Sequence, residues 1–110
     1  MKFAIAQAQI RPQKGDYDHN LALVGDIFAQ VASDLPDVLA FPETCLSGYF
    51  LEGGVIEAAR TAQEVFDDLQ SQFAENVSAD NPQAALDVVV GFYERSGGNF
   101  YNSMMYATLG

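Results

Sequence analysis

Val38-Leu39-Ala40-Phe41-Pro42-Glu43 is the stretch on which the fold turns. Four apolar residues in a row are too few for a helix and fit a short buried strand. Pro42 stops it, because proline has no N–H to give to a ladder. On the N-terminal side, Leu21, Val24, Phe28 and Val31 recur at steps of three and four, with Leu23 and Ile27 widening the stripe. That spacing predicts a helix with one apolar face. Asp16 is its N-cap and Asp18 lies in its first turn, where negative charge complements the dipole. Ser33-Asp34-Leu35-Pro36 ends it, since a residue before proline resists the helical region.

Farther out, Lys2 to Ile10 alternates like a strand, with Ala4, Ala6, Ala8 and Ile10 on one face and Phe3, Ile5, Gln7 and Gln9 on the other. The small-residue face is expected to lie close against a helix layer. Arg11-Pro12-Gln13-Lys14-Gly15 is a loop. On the C-terminal side, a Gly-rich, polar loop runs from Glu43 to Gly54. A second long helix is predicted from Val55 to Val77, striped by Ala62, Phe66, Leu69, Phe73 and Val77 and broken by Asp80-Asn81-Pro82. Asp87 to Glu94 is almost continuously apolar, which predicts a strand buried on both faces. The double glycine in Arg95-Ser96-Gly97-Gly98-Asn99 marks a turn, and Phe100 to Leu109 is the strand that returns as a hairpin.

The order strand, helix, strand, helix, strand, strand defines an α/β layered fold. There is no internal repeat and no low-complexity segment. The chain stops at Gly110, directly after a strand expected to lie near an uncovered edge, so the fold reads as incomplete.

Composition removes several classes of function. The 110 residues carry five Lys+Arg against fifteen Asp+Glu, a formal charge of −10. A nucleic-acid partner needs a basic footprint and an anionic membrane surface needs basic residues, so both are excluded as expectations. With 49% hydrophobic residues the chain is not a disordered acidic tail. The longest apolar run, Val88 to Tyr93, is far shorter than the roughly 20 residues needed to span a bilayer. Gln7 and Gln9 interrupt any signal-peptide core, and the expected compartment is the cytoplasm. One cysteine permits no internal disulfide and no cysteine-based zinc site.

Glu43 is the first candidate for chemistry. It follows the carboxyl end of a buried strand, where open α/β sheets place their ligands. Held there and partly desolvated, a carboxylate becomes a better base near neutral pH; its alternative is a solvated loop residue. Cys45, two residues on, reads as a packing residue, since activation of a thiol needs a cationic or helix-terminal neighbour that the sequence does not supply. Tyr49 is either a core aromatic or a pocket residue. His19, Lys2 and Lys14 read as surface residues, and Asn102 as a structural residue bonded to backbone. Asp16 to Asn20 is not a calcium loop, because Leu21 and Ile27 occupy the positions that require Gly and Glu. Asp67-Asp68 is an acidic helix face, and Glu52-Gly53-Gly54 lacks the Lys-Ser/Thr of a phosphate loop.

Phe41-Pro42-Glu43-Thr44-Cys45-Leu46-Ser47-Gly48-Tyr49-Phe50 resembles the first signature of the nitrilase, or carbon–nitrogen hydrolase, superfamily. Ala6-Gln7-Ala8-Gln9 with Gly15-Asp16 and Asn20 is similar to that family's start. Val90-Gly91-Phe92-Tyr93-Glu94-Arg95 followed by Tyr101-Asn102-Ser103 resembles its next strand pair. The resemblance implies part of a four-layer α-β-β-α sandwich, residues 1–110 being its N-terminal portion. It implies hydrolysis of a small-molecule amide or nitrile through a Glu-Lys-Cys triad, without metal or organic cofactor, in a homo-oligomer. Only the glutamate of that triad maps here, onto Glu43; Tyr49, read from its own position after Gly48, is the candidate substrate-binding residue. The lysine and the nucleophilic cysteine are expected beyond this chain. Two rival readings are a catalytically incompetent fragment that survives by association and a small acidic binding module.

Overall fold

A computed structural model of the protein describes residues 2–48 and 55–110. Strands β1 (Ile5–Gln7), β2 (Val38–Ala40), β3 (Leu86–Ser96) and β4 (Asn99–Leu109) form one sheet in that spatial order. The first three run parallel, with Ala6, Leu39 and Val88 in one row, and β4 pairs antiparallel with β3 along its whole length. Helix α1 (Tyr17–Val31) links β1 to β2; α2 (Val55–Ala58), α3 (Ala62–Phe73) and a π-helical turn (Ala74–Ser78) link β2 to β3. This is the mixed α/β architecture the sequence predicts, with one sheet and one helix layer.

The core lies between that helix layer and one face of the sheet. Val24 and Phe28 of α1, Val65, Leu69 and Phe73 of α3, and Leu86, Val88 and Val90 of β3 are all buried in one cluster. Phe28 meets Phe41 and Phe73 edge-on at centroid distances of 6.1 and 5.8 Å, the favoured geometry for aromatic pairs. Ala6, Ala8 and Ile10 pack on this cluster, as the small-residue face predicts. Asp16 caps α1 by accepting from the His19 N–H at 3.0 Å.

Most of the opposite face carries no helix among the described residues, although near its end Tyr93 packs with Ala58 of α2 and with Ala59. Phe3 and Ile5 are about two-thirds exposed, and Met104 and Tyr106 of β4 nearly as much. The register explains this: Val89 is opposite Tyr106 and Gly91 opposite Met104, and cross-strand partners share a face. The expectation that β3 is buried on both faces is therefore corrected for its first half, while from Gly91 to Tyr93 it holds. Leu86, Val88, Val90 and Phe92 are buried toward the helices, while Asp87 and Val89 on the other side are only partly covered.

Two boundaries also differ from the sequence reading. The first strand is only Ile5–Gln7, because its ladder partner β2 has just three residues. The single helix predicted over 55–77 is interrupted after Ala58. Thr61 accepts from the Glu64 N–H at 3.1 Å and its own N–H donates to Glu64 Oε1 at 2.9 Å, a capping box that starts α3 afresh. Between the two helices, Arg60 pairs with the end of β3 as an isolated bridge to Glu94. At the hairpin, Gly97 and Gly98 both have positive φ, 56° and 80°, as a tight turn between twisted strands requires.

Candidate functional site

β2 is shorter than β3, so the chain that leaves it at Phe41 travels alongside the continuing β3 strand. The Phe41 N–H donates to Val89 O at 2.9 Å and the Leu46 N–H to Gly91 O at 3.3 Å. Between these two anchors sit Glu43 and Thr44. Gly91 makes the approach possible: a Cβ there would lie 2.5 Å from the Thr44 nitrogen and 3.1 Å from the Glu43 Cα. A glycine inside an apolar strand is the sequence signal for such a close backbone contact.

Thr44 has φ of 54°, a left-handed conformation unusual for a β-branched residue. It is buried, and its hydroxyl donates to Glu43 O at 2.7 Å. Strained backbone of this kind persists only where the surroundings over-determine it. Here they do so from both sides. Asn20, fully buried on α1, donates through Nδ2 to Gln13 O at 2.8 Å and Leu46 O at 3.1 Å. Its Oδ1 accepts from the Gln13 N–H at 2.6 Å. The Gly15 N–H donates to Ser47 O at 2.7 Å. The loop before α1 and the loop after β2 are thereby fastened into one unit.

The Glu43 carboxylate projects from this rigid base. It is exposed in this chain, which corrects the expectation of partial desolvation: no layer covers the helix-free face among the described residues. It is nonetheless tethered, accepting at Oε1 from Asn102 Nδ2 on β4 at 2.8 Å. Asn102 thus differs from its expected role, since its side chain bonds a carboxylate and not backbone. No local pattern in the sequence reveals this, because the partners are 59 residues apart and meet only through the β3–β4 register.

Cys45 points the other way, into the core. It is completely buried, its Sγ donates to Gly91 O at 3.7 Å, and burial pushes its thiol up to about 12. That environment fits packing and not a reactive thiolate. Lys2, Lys14 and His19 are exposed, as the sequence implies. Tyr49 lies outside the described residues. Asp67 fits a solvated helix face, but Asp68 accepts from the buried Tyr17 hydroxyl at 2.7 Å. The Arg60 guanidinium stacks 4.1 Å from the centre of the Tyr17 ring, joining the start of α3 to α1. Among the described residues no group of three His, Cys, Asp or Glu side chains is placed to hold a metal ion. No helix among them is long and apolar enough to cross a membrane.

A carboxylate fixed past the carboxyl end of a parallel strand, in a sheet with helices on one side, defines an α/β protein with a candidate acid–base site. Residues 2–110 match the family model described as carbon–nitrogen hydrolase. The chain is 34% identical over 104 residues to an (R)-stereoselective amidase of a Pseudomonas species, covering 94% of this chain and 35% of that protein. It therefore spans about a third of the length of this relative. A CN-hydrolase superfamily protein of Xanthomonas campestris, solved with an arsenic adduct in its active site, superposes with a TM-score of 0.73 at 18% identity. That match covers 96% of this chain and 36% of the other. A glutamine-dependent NAD(+) synthetase of Cytophaga hutchinsonii superposes with a TM-score of 0.67 at 20% identity, over 94% of this chain and 17% of the other. The chain belongs to the carbon–nitrogen hydrolase family.

Proposed function

We propose that this chain is the N-terminal portion of a carbon–nitrogen hydrolase domain acting on a small-molecule amide, with Glu43 as general base and then general acid. The observation that carries the reading is the fixed position of Glu43. Its backbone is seated on Gly91 and its carboxylate is held by Asn102. A positioned general base contributes about 10²–10⁴-fold to rate. In the reaction as proposed, the base takes the proton of a cysteine thiol, and the thiolate attacks the amide carbon. The returned proton goes to the leaving nitrogen, and water then cleaves the acyl-thioester. A lysine stabilises the oxyanion. The only lysines here, Lys2 and Lys14, are exposed surface residues, and the only cysteine is buried Cys45. The triad's lysine and nucleophilic cysteine are accordingly assigned to chain outside these 110 residues. Tyr49 is assigned to the substrate pocket, and no metal or organic cofactor takes part. A nitrile remains the alternative substrate class, and the cytoplasm the proposed compartment.

The (R)-stereoselective amidase relative is what favours an amide over a nitrile. The test is to quench the full-length natural protein during turnover of a small amide and map the acylated residue by mass spectrometry. Acylation of a cysteine other than Cys45 is the expected result; an adduct on Cys45, or turnover with no acylated cysteine, contradicts it.

A homo-oligomer is a further proposal that rests on the family resemblance alone, since the apolar Phe3, Ile5, Met104 and Tyr106 on the helix-free face fit the side that a second sheet of the sandwich would cover. Sedimentation equilibrium of the natural protein tests it: a multiple of the monomer mass is expected, and a monomer at micromolar concentration contradicts it.

A further inference from the structure

We propose that Asn102 is the positioning residue that orients the Glu43 carboxylate for proton transfer, a proposal that rests on the catalytic reading of Glu43 above. Both ends of the Asn102–Glu43 bond are anchored to the same strand. Asn102 is held by its register position opposite Tyr93, and Glu43 by the seat of its backbone on Gly91. Gly91 and Tyr93 are two residues apart on β3, so they lie on one face of the sheet, about 7 Å apart. The reach from Asn102 to Glu43 is therefore set by sheet geometry and not by a mobile loop.

The chemistry of the pair is directional. A carboxylate oxygen accepts and an amide nitrogen donates, so Nδ2 must be the Asn102 atom that faces Glu43. The bond engages Oε1 at 2.8 Å and turns Oε2 into the oxygen that receives the proton. Glu43 is exposed and has three side-chain torsions, so without this restraint its carboxylate samples many rotamers. Misplacement of a catalytic group by about 1 Å costs on the order of 10²-fold in rate. Asn102 does not itself touch the reacting atoms; it acts through Glu43.

The test compares Asn102→Ala, the isosteric Asn102→Asp and Glu43→Gln in the full-length natural protein, by steady-state amide hydrolysis and thermal unfolding. Asn102→Ala is expected to lower kcat about 10–100-fold with KM changed less than about threefold. Asn102→Asp is expected to lower kcat at least as much, because it sets one carboxylate against another. The unfolding midpoint of Asn102→Asp is expected to stay within a few degrees of the parent. Wild-type kcat in Asn102→Ala beside an inactive Glu43→Gln overturns the positioning role alone. A loss confined to KM, or one that scales with a fallen midpoint in both Asn102 variants, overturns it as well. Full turnover by Glu43→Gln, or no amide hydrolysis by the parent, overturns the catalytic reading and this proposal with it.

Discussion

Gly91 and Thr44 are packed so closely that a Cβ on the glycine would stand 2.5 Å from the threonine's backbone nitrogen. Thr44 already holds a positive φ, so its backbone has little room to retreat. Gly91→Ala is expected to cost about 1–3 kcal/mol of stability, the usual range for overpacking, and to move Glu43 away from Asn102. Urea unfolding and amide hydrolysis of the full-length natural protein check this. Parental stability together with parental kcat would show that the contact does not position the site.

Asn20 is the buried fastener beneath that contact. Asn20→Ala removes bonds to the Gln13 backbone and to Leu46 O, leaving polar groups near the core without their partners. The expected loss is about 1–3 kcal/mol, read as a lowered urea midpoint. Because the site loop loses its tie to α1, kcat is expected to fall as well. An unchanged midpoint would contradict the fastening role.

Alkaline pH should weaken the fold. Cys45 is raised from an ordinary value of 9.0 to about 12 by burial, and burial followed by the Asp68 bond pushes the Tyr17 hydroxyl the same way. Between pH 9 and 12 the native thiol keeps a proton that the unfolded chain has released. The stabilisation is thus complete below pH 9 and is lost as pH rises toward 12. The expected observation is an unfolding midpoint that declines over this interval, with a shallower decline in Cys45→Ala. At pH 8, alkylation of Cys45 followed by peptide mapping should be at least about 100-fold slower in the native protein than in urea, since the thiolate is the reactive form. Equal rates would contradict its burial.

Thr61→Ala removes the hydroxyl half of the capping box that restarts the helix after Arg60. The expected cost is about 0.5–2 kcal/mol, measured by chemical unfolding, with KM for the amide unchanged. Thr61→Ser should recover most of it. A Thr61→Ala variant as stable as its parent would place the helix boundary elsewhere.

The apolar stripe of α1, its Asp16 cap, the buried strand before Pro42 and the Gly97-Gly98 hairpin are all legible from sequence, because each depends on near neighbours along the chain. The break at residues 59–61 was equally local, in Thr61 and Glu64, but the continuing stripe from Ala62 to Val77 hides it. The open side of β3 is not legible: a run of valines looks the same whether one face or two are covered, and coverage depends on what the rest of the protein supplies. The place of Glu43 just past the strand is legible from Pro42, while its proposed role comes from the family resemblance and not from that spacing. The bond to Asn102 requires the exact strand register, which no short-range pattern encodes. The glycine in Val90-Gly91-Phe92 carried a readable sign of close approach, though not of what approaches it.

Glu43 is proposed to supply the proton transfer for amide cleavage, and the most direct test is ammonia release by Glu43→Gln in the full-length natural protein. Gln keeps the size of the side chain and can still bond Asn102 through its carbonyl oxygen, while losing basicity. The expected result is a kcat at least about 10²-fold below the parent with an unfolding midpoint close to it. Ammonia release at the parental rate from a correctly folded Glu43→Gln protein would contradict the account.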